Sequence, residues 1–308
     1  MTLQQLEYIV AVDKYRHFVR AAESCNVTQS TLSSLIQKLE AELDVTIFDR
    51  ASHPIVPTPL GEKIIAQARV ILFNSQQVGE LVATHKGSAV GDIRLGIVST
   101  IAPFLLPSMF RYISDNHPSV NIHVEEARVD TIKSKLKRAE LDVAILAMPV
   151  LDDSLLEIPI YRERYYAYVS PSDKLYAKDR LVTSELTSEN IWMLAESYCP
   201  NTGQFPFCIN DMRNVSIYVA GSIETLMRIV DENGGYTIIP ELQLPLIDAE
   251  RRRNVRDLCD PVPGRAIAIV VRRDFVRERM LNILADAIKS IIPEQMLDER
   301  LKRFRIKL

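Results

Sequence analysis

Two cysteines stand nine positions apart in the stretch SYCPNTGQFPFC, residues 197–208. Cys199 and Cys208 are half of the chain's cysteines; Cys25 and Cys259 lie far from them in sequence. Such a pair supports inert packing, a structural disulfide, metal ligation or thiol–disulfide exchange. Metal ligation needs further ligands, and no CxxC or neighbouring histidine supplies them, His123 being remote. Cys199 follows a short apolar run and sits beside Pro200, Asn201 and Gly203, turn formers whose loop can be rebuilt at low cost. No Lys or Arg lies within ten residues of it. Any lowering of its thiol pKa must come from groups near in space, such as Arg265, or from helix N-termini. On residues alone, buried inert cysteine and redox chemistry both stay open, and inert burial suits Cys25 and Cys259.

A second constellation lies near the N-terminus. Leu32, Leu35, Ile36, Leu39 and Leu43 repeat at helical spacing after Thr28, an N-cap residue type. The opposite face of that helix carries Gln29, Ser30, Thr31, Ser33, Ser34, Gln37 and Lys38. Short hydrogen-bonding side chains on an exposed helix can read base edges in the DNA major groove. Arg16, Arg20 and Arg50 are the cations placed to hold phosphates, with His17 as a further contact. A generic amphipathic three-helix domain would share these stripes. Charge does not decide: residues 1–60 hold five Lys+Arg against seven Asp+Glu, and the whole chain is −3. Nonspecific DNA affinity then depends on where those few cations sit.

Leu3, Leu6, Ile9 and Val10 predict a first helix, and Phe18, Ala21 and Ala22 a short second one ending at Cys25–Asn26. The run VTIFDRASHPIVPTP reads as two short strands around a turn, a wing. A long helix follows, with Ile64, Ala68, Ile71 and Val78 at near-heptad spacing. Such a seam calls for a partner helix, most simply from a second copy of the chain. From residue 91 strand and helix patterns alternate: IRLGIVS, Pro103–Ile113, SVNIHVEEA, TIKSKLKRAEL and LDVAILA. ERYYAYVS (163–170) opens a second stretch, in which SIETLMRIVDENGG is a helix closed by Gly234 and Gly235 before the strand YTIIP. RAIAIVVRR is a further strand and FVRERMLNILADAIKSII a helix. That order predicts parallel βαβ units. Trp192 reads as core and Arg251–Arg253 as a solvated face.

At 308 residues, 47% hydrophobic and 25% charged, the chain has room for two or three domains. It lacks a signal-peptide pattern and any run of eighteen apolar residues, which predicts a cytoplasmic protein with no membrane association. In a reducing cytoplasm a permanent structural disulfide is disfavoured. No cofactor and no metal site is expected.

The run LEYIVAVDKYRHFVRAAESCNVTQSTLSSLIQKLEAELDVTIFDR resembles the N-terminal domain of LysR-type transcriptional regulators over its whole length. The Ala21–Ala22 pair, TQSTLSS, QKLEAELDVTIFDR and TPLGEKI occur in the family's order. LDVAIL and SIETLMRIVDENGGYTIIP are similar to its effector domain. The resemblance implies an α+β multidomain chain: a winged helix-turn-helix domain (1–58), a linker and dimerisation helix (59–88) and a regulatory domain (91–308). The last has two α/β lobes of the periplasmic-binding-protein type, lobe I at 91–162 and 267–308 and lobe II at 165–263. The chain crosses between them near 162–165 and 262–266. The implied partners are a double-stranded DNA operator, RNA polymerase, and further copies in a homodimer that assembles to a homotetramer.

Within the family, the loop carrying Cys199 and Cys208, RHFVRAAESC, and STIAPFLLP with Thr100 are most similar to the hydrogen-peroxide-sensing subgroup. That resemblance implies that Cys199 is the peroxidatic thiol and Cys208 the resolving one. Their reversible disulfide would control antioxidant genes and be reset by a thiol reductant such as glutaredoxin or thioredoxin. Thr100 and Arg265 are then candidates for the peroxide pocket, although Thr100 suits an N-cap for the next helix equally well. Ile217, Val129 and Ala266 stand where the subgroup carries a histidine, a threonine and a second basic residue. Two rival readings are a family member binding a small metabolite between its lobes, and an enzyme, a thiol peroxidase. The second would need a recycling thiol site that the sequence does not offer.

Overall fold

The computed structural model describes residues 1–52, 54–85, 91–187, 190–194, 216–218 and 222–307. Its contacts divide the chain into two units, Met1–Val90 with Ser134–Asp142, and Gly91–Lys133 with Val143–Leu308. Cys199 and Cys208 lie outside the described residues.

In the first unit, α1 (Leu3–Tyr15) starts at a capping box. The Thr2 side chain accepts from the Gln5 N–H, and the Gln5 side chain accepts from the Thr2 N–H. The two together satisfy N–H groups that a helix start leaves without partners. Gln5 also donates to the Leu35 carbonyl at 3.2 Å, joining α1 to the third helix. Then come α2 (Phe18–Ser24) and α3 (Gln29–Leu43), separated by a turn in which Asn26 takes φ 55°. Asn is one of the few residues that visits that region readily. Leu6, Ile9, Val12, Ala21, Ala22, Leu32, Ile36 and Leu39 close into one core with Ile47, Phe48, Ile65 and Ala68. The two alanines, at most 2% exposed, let α2 lie close to its neighbours. The wing is an antiparallel pair, β1 (Phe48–Asp49) and β2 (Val56–Pro57), and α4 (Pro59–His85) follows it.

Gly61 shows why that junction needs glycine. A Cβ there would meet the Ile47 carbonyl oxygen at 2.0 Å. The same oxygen accepts from Thr58 N–H, and the Thr58 hydroxyl, which accepts from Gly61 N–H, donates to the Thr46 carbonyl. The TPLG run is a tight join between wing and linker helix.

The second unit holds β3 (Gly91–Ile97), α5 (Ala102–Asn116), β4 (Val120–Glu126), α6 (Val129–Lys137), β5 (Val143–Ala147) and β6 (Leu155–Val169). α6 is divided between the two contact units. After them come β7 (Arg180–Val182), β8 (Trp192–Leu194), β9 (Ser216–Tyr218), α7 (Ile223–Asn233), β10 (Tyr236–Pro240), β11 (Val255–Cys259), β12 (Gly264–Arg272), α8 (Glu278–Ile291) and α9 (Glu299–Arg303). Among the described residues one eight-stranded sheet runs β4-β3-β5-β12-β6-β11-β7, with β10 also on β6. β3 is parallel to β4 and β5, whereas β12 is antiparallel to β5 and β6. A small parallel pair, β8 and β9, adjoins that sheet, since Ile191 just before β8 forms a parallel bridge to Tyr236 of β10.

β6 is longer than the sequence pattern suggests. The expected strand began at Glu163, but the observed one begins at Leu155. Pro159 hides the continuity. It lies opposite Ala268, beside the register shift between Ile267 and Ala268, the kind of place where a strand tolerates a proline. Up to Arg164, β6 pairs with β12; from Tyr165 onward its partners are β10 and β11. One continuous strand thus serves both halves of the unit. α7 closes at Gly234 and Gly235, both at φ 79°, and a Cβ on Gly235 would fall 2.1 Å from the Asn190 carbonyl oxygen. Arg251 corrects an expectation. It is no solvated cation, because it bridges Glu224 and Asp231 of α7, each at 2.7 Å. No helix among the described residues is long and apolar enough to cross a membrane.

Candidate nucleic-acid interface and sensor site

Thr28 caps α3 as its residue type suggests: its hydroxyl oxygen accepts from Thr31 N–H at 3.2 Å. With Leu32, Ile36 and Leu39 fully buried, the helix must turn Gln29, Ser30, Thr31, Ser34, Gln37 and Lys38 outward, and all of them are exposed. Ser33 is half-buried at the edge of that face. The Thr28 hydroxyl also lies 2.9 Å from that of Ser30 and 2.8 Å from that of Thr31. These groups hold one another in place at the helix start, where the positive end of the helix and free N–H groups favour an anion. The surface has the size and chemistry of a major-groove reader.

The expected phosphate cations differ in status. Arg20 is exposed on α2, and His17 is the exposed N-cap of that helix. Arg16 ends α1 in the left-handed region and pairs with Asp13 at 2.8 Å. The other oxygen of Asp13 takes Arg69 of α4 at 2.6 Å. Arg50 is engaged too. Its guanidinium pairs with Glu40 at 2.9 Å and sits 5.6 Å from the Phe18 ring centre. Glu40 and Asp13 are site-shaping residues that the sequence pattern did not single out, because their partners Arg50 and Arg69 are brought to them by the fold.

The seam on α4 divides. Ala68 is 1% exposed and belongs, with Ile65, to the core of its own unit, while Ile64 and Ile71 are half-buried against that core. α1 supplies the partner face. Ala68 is therefore not free to meet a second copy, which corrects its place in the expected seam. Val78 is 63% exposed.

In the second unit the structure brings Thr100 and Arg265 together. Arg265 donates through Nη1 to the Thr100 hydroxyl at 2.9 Å and through Nη2 to the Thr100 carbonyl at 3.1 Å. Thr100 does not cap α5; Ile101 holds the N-cap position, without a side-chain cap bond. Arg265 Nε donates to Glu163 at 2.8 Å across the β12–β6 register pair. Glu163 is 3% exposed, and its second oxygen accepts from Leu242 N–H at 3.1 Å. The Tyr165 ring centre lies 5.7 Å from the guanidinium. Burial works against the Arg265 charge, but Glu163 and the hydroxyls of Tyr165 and Tyr161 outweigh it and hold the group protonated. Burial, then the Glu163 charge, raises the Tyr161 hydroxyl; burial likewise raises that of Tyr165. Both hydroxyls stay neutral near pH 7.

Glu163 was missed in the sequence, yet YRERYY carried its signal. Tyr161, Glu163 and Tyr165 share one strand face while Arg162 and Arg164 take the other, so the acid points inward. The cluster is a charge-compensated cation with ordered donors and a hydroxyl beside it. Such a set suits a small polar or anionic group.

Cys25 ends α2 and packs on the N-terminal core, and Cys259 donates to the Leu181 carbonyl at 3.5 Å; both are unpaired. Cys259 also lines a cleft of about 180 Å³ with Arg164, Tyr166, Arg180 and Asp257. Ile217 pairs with Met193 across β9 and β8, Val129 opens α6, and Ala266 accepts from Met148 N–H.

Comparison with known proteins gives these elements a family. Residues 3–62 match the model described as bacterial regulatory helix-turn-helix protein, lysR family. Residues 86–291 match the LysR substrate binding domain. The hydrogen peroxide-inducible genes activator of Haemophilus influenzae is 31% identical over 299 residues, covering 95% of this chain and 99% of its own. The HTH-type transcriptional regulator EstR of Acinetobacter baylyi is 29% identical, covering 94% of this chain and 97% of its own. Among solved structures, full-length OxyR C199D from Pseudomonas aeruginosa superposes with a TM-score of 0.81 at 29% identity, over 97% of this chain and 98% of that one. The chain belongs to the LysR family of bacterial transcription regulators, an N-terminal helix-turn-helix joined to a C-terminal mixed α/β LysR substrate-binding domain.

Proposed function

We propose that this regulator responds to hydrogen peroxide through a reversible Cys199–Cys208 disulfide and controls antioxidant genes. The observation that carries the reading is near full-length similarity to a named hydrogen peroxide-inducible genes activator and to full-length OxyR C199D. In the first step the Cys199 thiolate attacks peroxide. A sulfur–oxygen bond forms, the O–O bond breaks, and hydroxide leaves and is protonated, so that sulfur is oxidised to sulfenic acid. The Cys208 thiolate then attacks that sulfur and expels a second hydroxide, leaving the disulfide. Two thiols of glutaredoxin or thioredoxin reverse the change by exchange.

A disulfide needs Cα atoms within about 7 Å, so forming it restricts the loop between the two cysteines and biases the packing around it. Thr100 and Arg265 are the proposed pocket groups, with Arg265 donating to oxygen. α3 reads the operator through Gln29, Ser33 and Lys38, and the chain works in the cytoplasm as a dimer assembling to a tetramer that engages RNA polymerase. The competing reading, a metabolite-responsive regulator, draws on EstR, a relative of similar coverage whose name does not mention peroxide.

Footprints of the Cys199→Ser and Cys208→Ser proteins with and without peroxide test the proposal. Cys199→Ser should show no response, and Cys208→Ser should leave a sulfenic acid that a trapping reagent labels. A normal footprint shift in Cys199→Ser would overturn the role of that thiol, and a wild-type footprint that peroxide leaves unchanged would favour the metabolite reading.

A further inference from the structure

Glu40 lies in the last turn of α3, at the negative end of the helix, with no basic residue in that turn to offset it. A carboxylate there is disfavoured by the helix dipole. This one is nonetheless only 13% exposed, and both of its oxygens are engaged. Oε1 accepts from the N–H of Ile47 at 2.7 Å and of Phe48 at 3.3 Å, and Oε2 accepts from Arg50 Nη2 at 2.9 Å. Arg50 in turn lies over the ring of Phe18 on α2, and Phe18 meets Phe48 edge to face, centroids 6.3 Å apart. A closed ring of contacts thus joins α2, α3 and the first wing strand through one carboxylate.

We infer that Glu40 is a positioning residue for operator binding, holding the wing at a set angle to the reading helix so that both meet the DNA as one rigid surface. Arg50 then acts through Glu40 rather than as a free phosphate contact. The inference rests on α3 reading DNA and adds the device that orients its neighbour.

The test turns on a sign. Glu40→Ala and Glu40→Gln each remove a negative charge from a surface that faces a polyanion, so a purely electrostatic role predicts tighter binding for both. Positioning predicts the reverse. Full-length protein and an operator duplex selected by the wild type from random DNA are the materials. Glu40→Ala should bind about tenfold more weakly, a change of about 1.4 kcal/mol. Glu40→Gln should lose less, since its amide oxygen still accepts from Ile47 and Phe48. Hydroxyl-radical footprints should lose protection at the flanks, where the wing lies, and keep it at the centre of each half-site. Tighter or unchanged binding in both variants overturns the inference. So does equal loss of central and flanking protection in Glu40→Gln, which retains one acceptor, when its circular dichroism matches the wild type. If Lys38→Ala leaves binding unchanged while Glu40→Gln shifts the flanks, Lys38 is not a base contact and the positioning role stands.

Discussion

Replacing Glu163 by Gln tests the buried cluster around Arg265. The Glu163 side chain is 1% exposed and that of Arg265 10%, so their 2.8 Å contact has almost no solvent screening. An exposed pair would be worth about 0–1 kcal/mol, but stranding one buried partner costs about 3–5 kcal/mol. Arg265 cannot shed its proton to escape, since guanidinium stays charged throughout the accessible pH range. Glutamine keeps one acceptor for either Arg265 Nε or Leu242 N–H, which places the expected loss near the lower end, about 3 kcal/mol. Trp192 is the chain's one tryptophan and donates to the Gly234 carbonyl within the regulatory unit. Urea unfolding followed by its fluorescence therefore reports that unit alone. With a slope of about 2–3 kcal/mol/M, the midpoint should fall by about 1 M. Adding Arg265→Met removes the stranded charge, and the double variant should be more stable than additivity predicts by about 2 kcal/mol. A midpoint shift below about 0.3 M, or strict additivity, would show that the Glu163–Arg265 pair is not a buried, coupled one.

Two further outcomes follow from the N-terminal unit. Lys38→Ala should weaken operator binding by about 1–3 kcal/mol if the side chain reads a base; unchanged affinity and salt slope would exclude that role. Ala68→Asp should unfold the N-terminal unit by burying an unpaired charge, whereas Val78→Asp should leave it folded and weaken association. Full oligomer by light scattering for Val78→Asp, with normal operator binding, would remove α4 from the interface.

The helix-turn-helix was legible because its determinants are local. Thr28, the alanine pair and the i, i+3, i+4 apolar positions of α3 each act within a turn or two of themselves. Much of the α/β order was readable for the same reason; the reading missed the short strands β7 and β11 and the antiparallel place of β12, and Pro159 broke the pattern of β6 at a bulge that only its partner strand explains. Ala68 was misplaced because heptad spacing marks a helix that needs a partner without saying whose helix provides it. Glu163 and Glu40 escaped for a different reason. A carboxylate's role is set by what it faces, and Arg265 lies 102 residues from Glu163 in sequence. The resemblance pairs Thr100 and Arg265 as pocket candidates, yet their direct hydrogen bonds, across 165 residues, belong to the fold.

The most direct test of the redox switch joins thiol state to DNA contact in the wild-type protein. Stoichiometric peroxide is added to the reduced protein, and each sample is divided between peptide mass spectrometry and footprinting. A Cys199–Cys208 disulfide should accumulate in step with the footprint change, with free thiols at Cys25 and Cys259 and reversal of both signals by thioredoxin or glutaredoxin. A footprint that shifts while Cys199 and Cys208 both remain free thiols would contradict it.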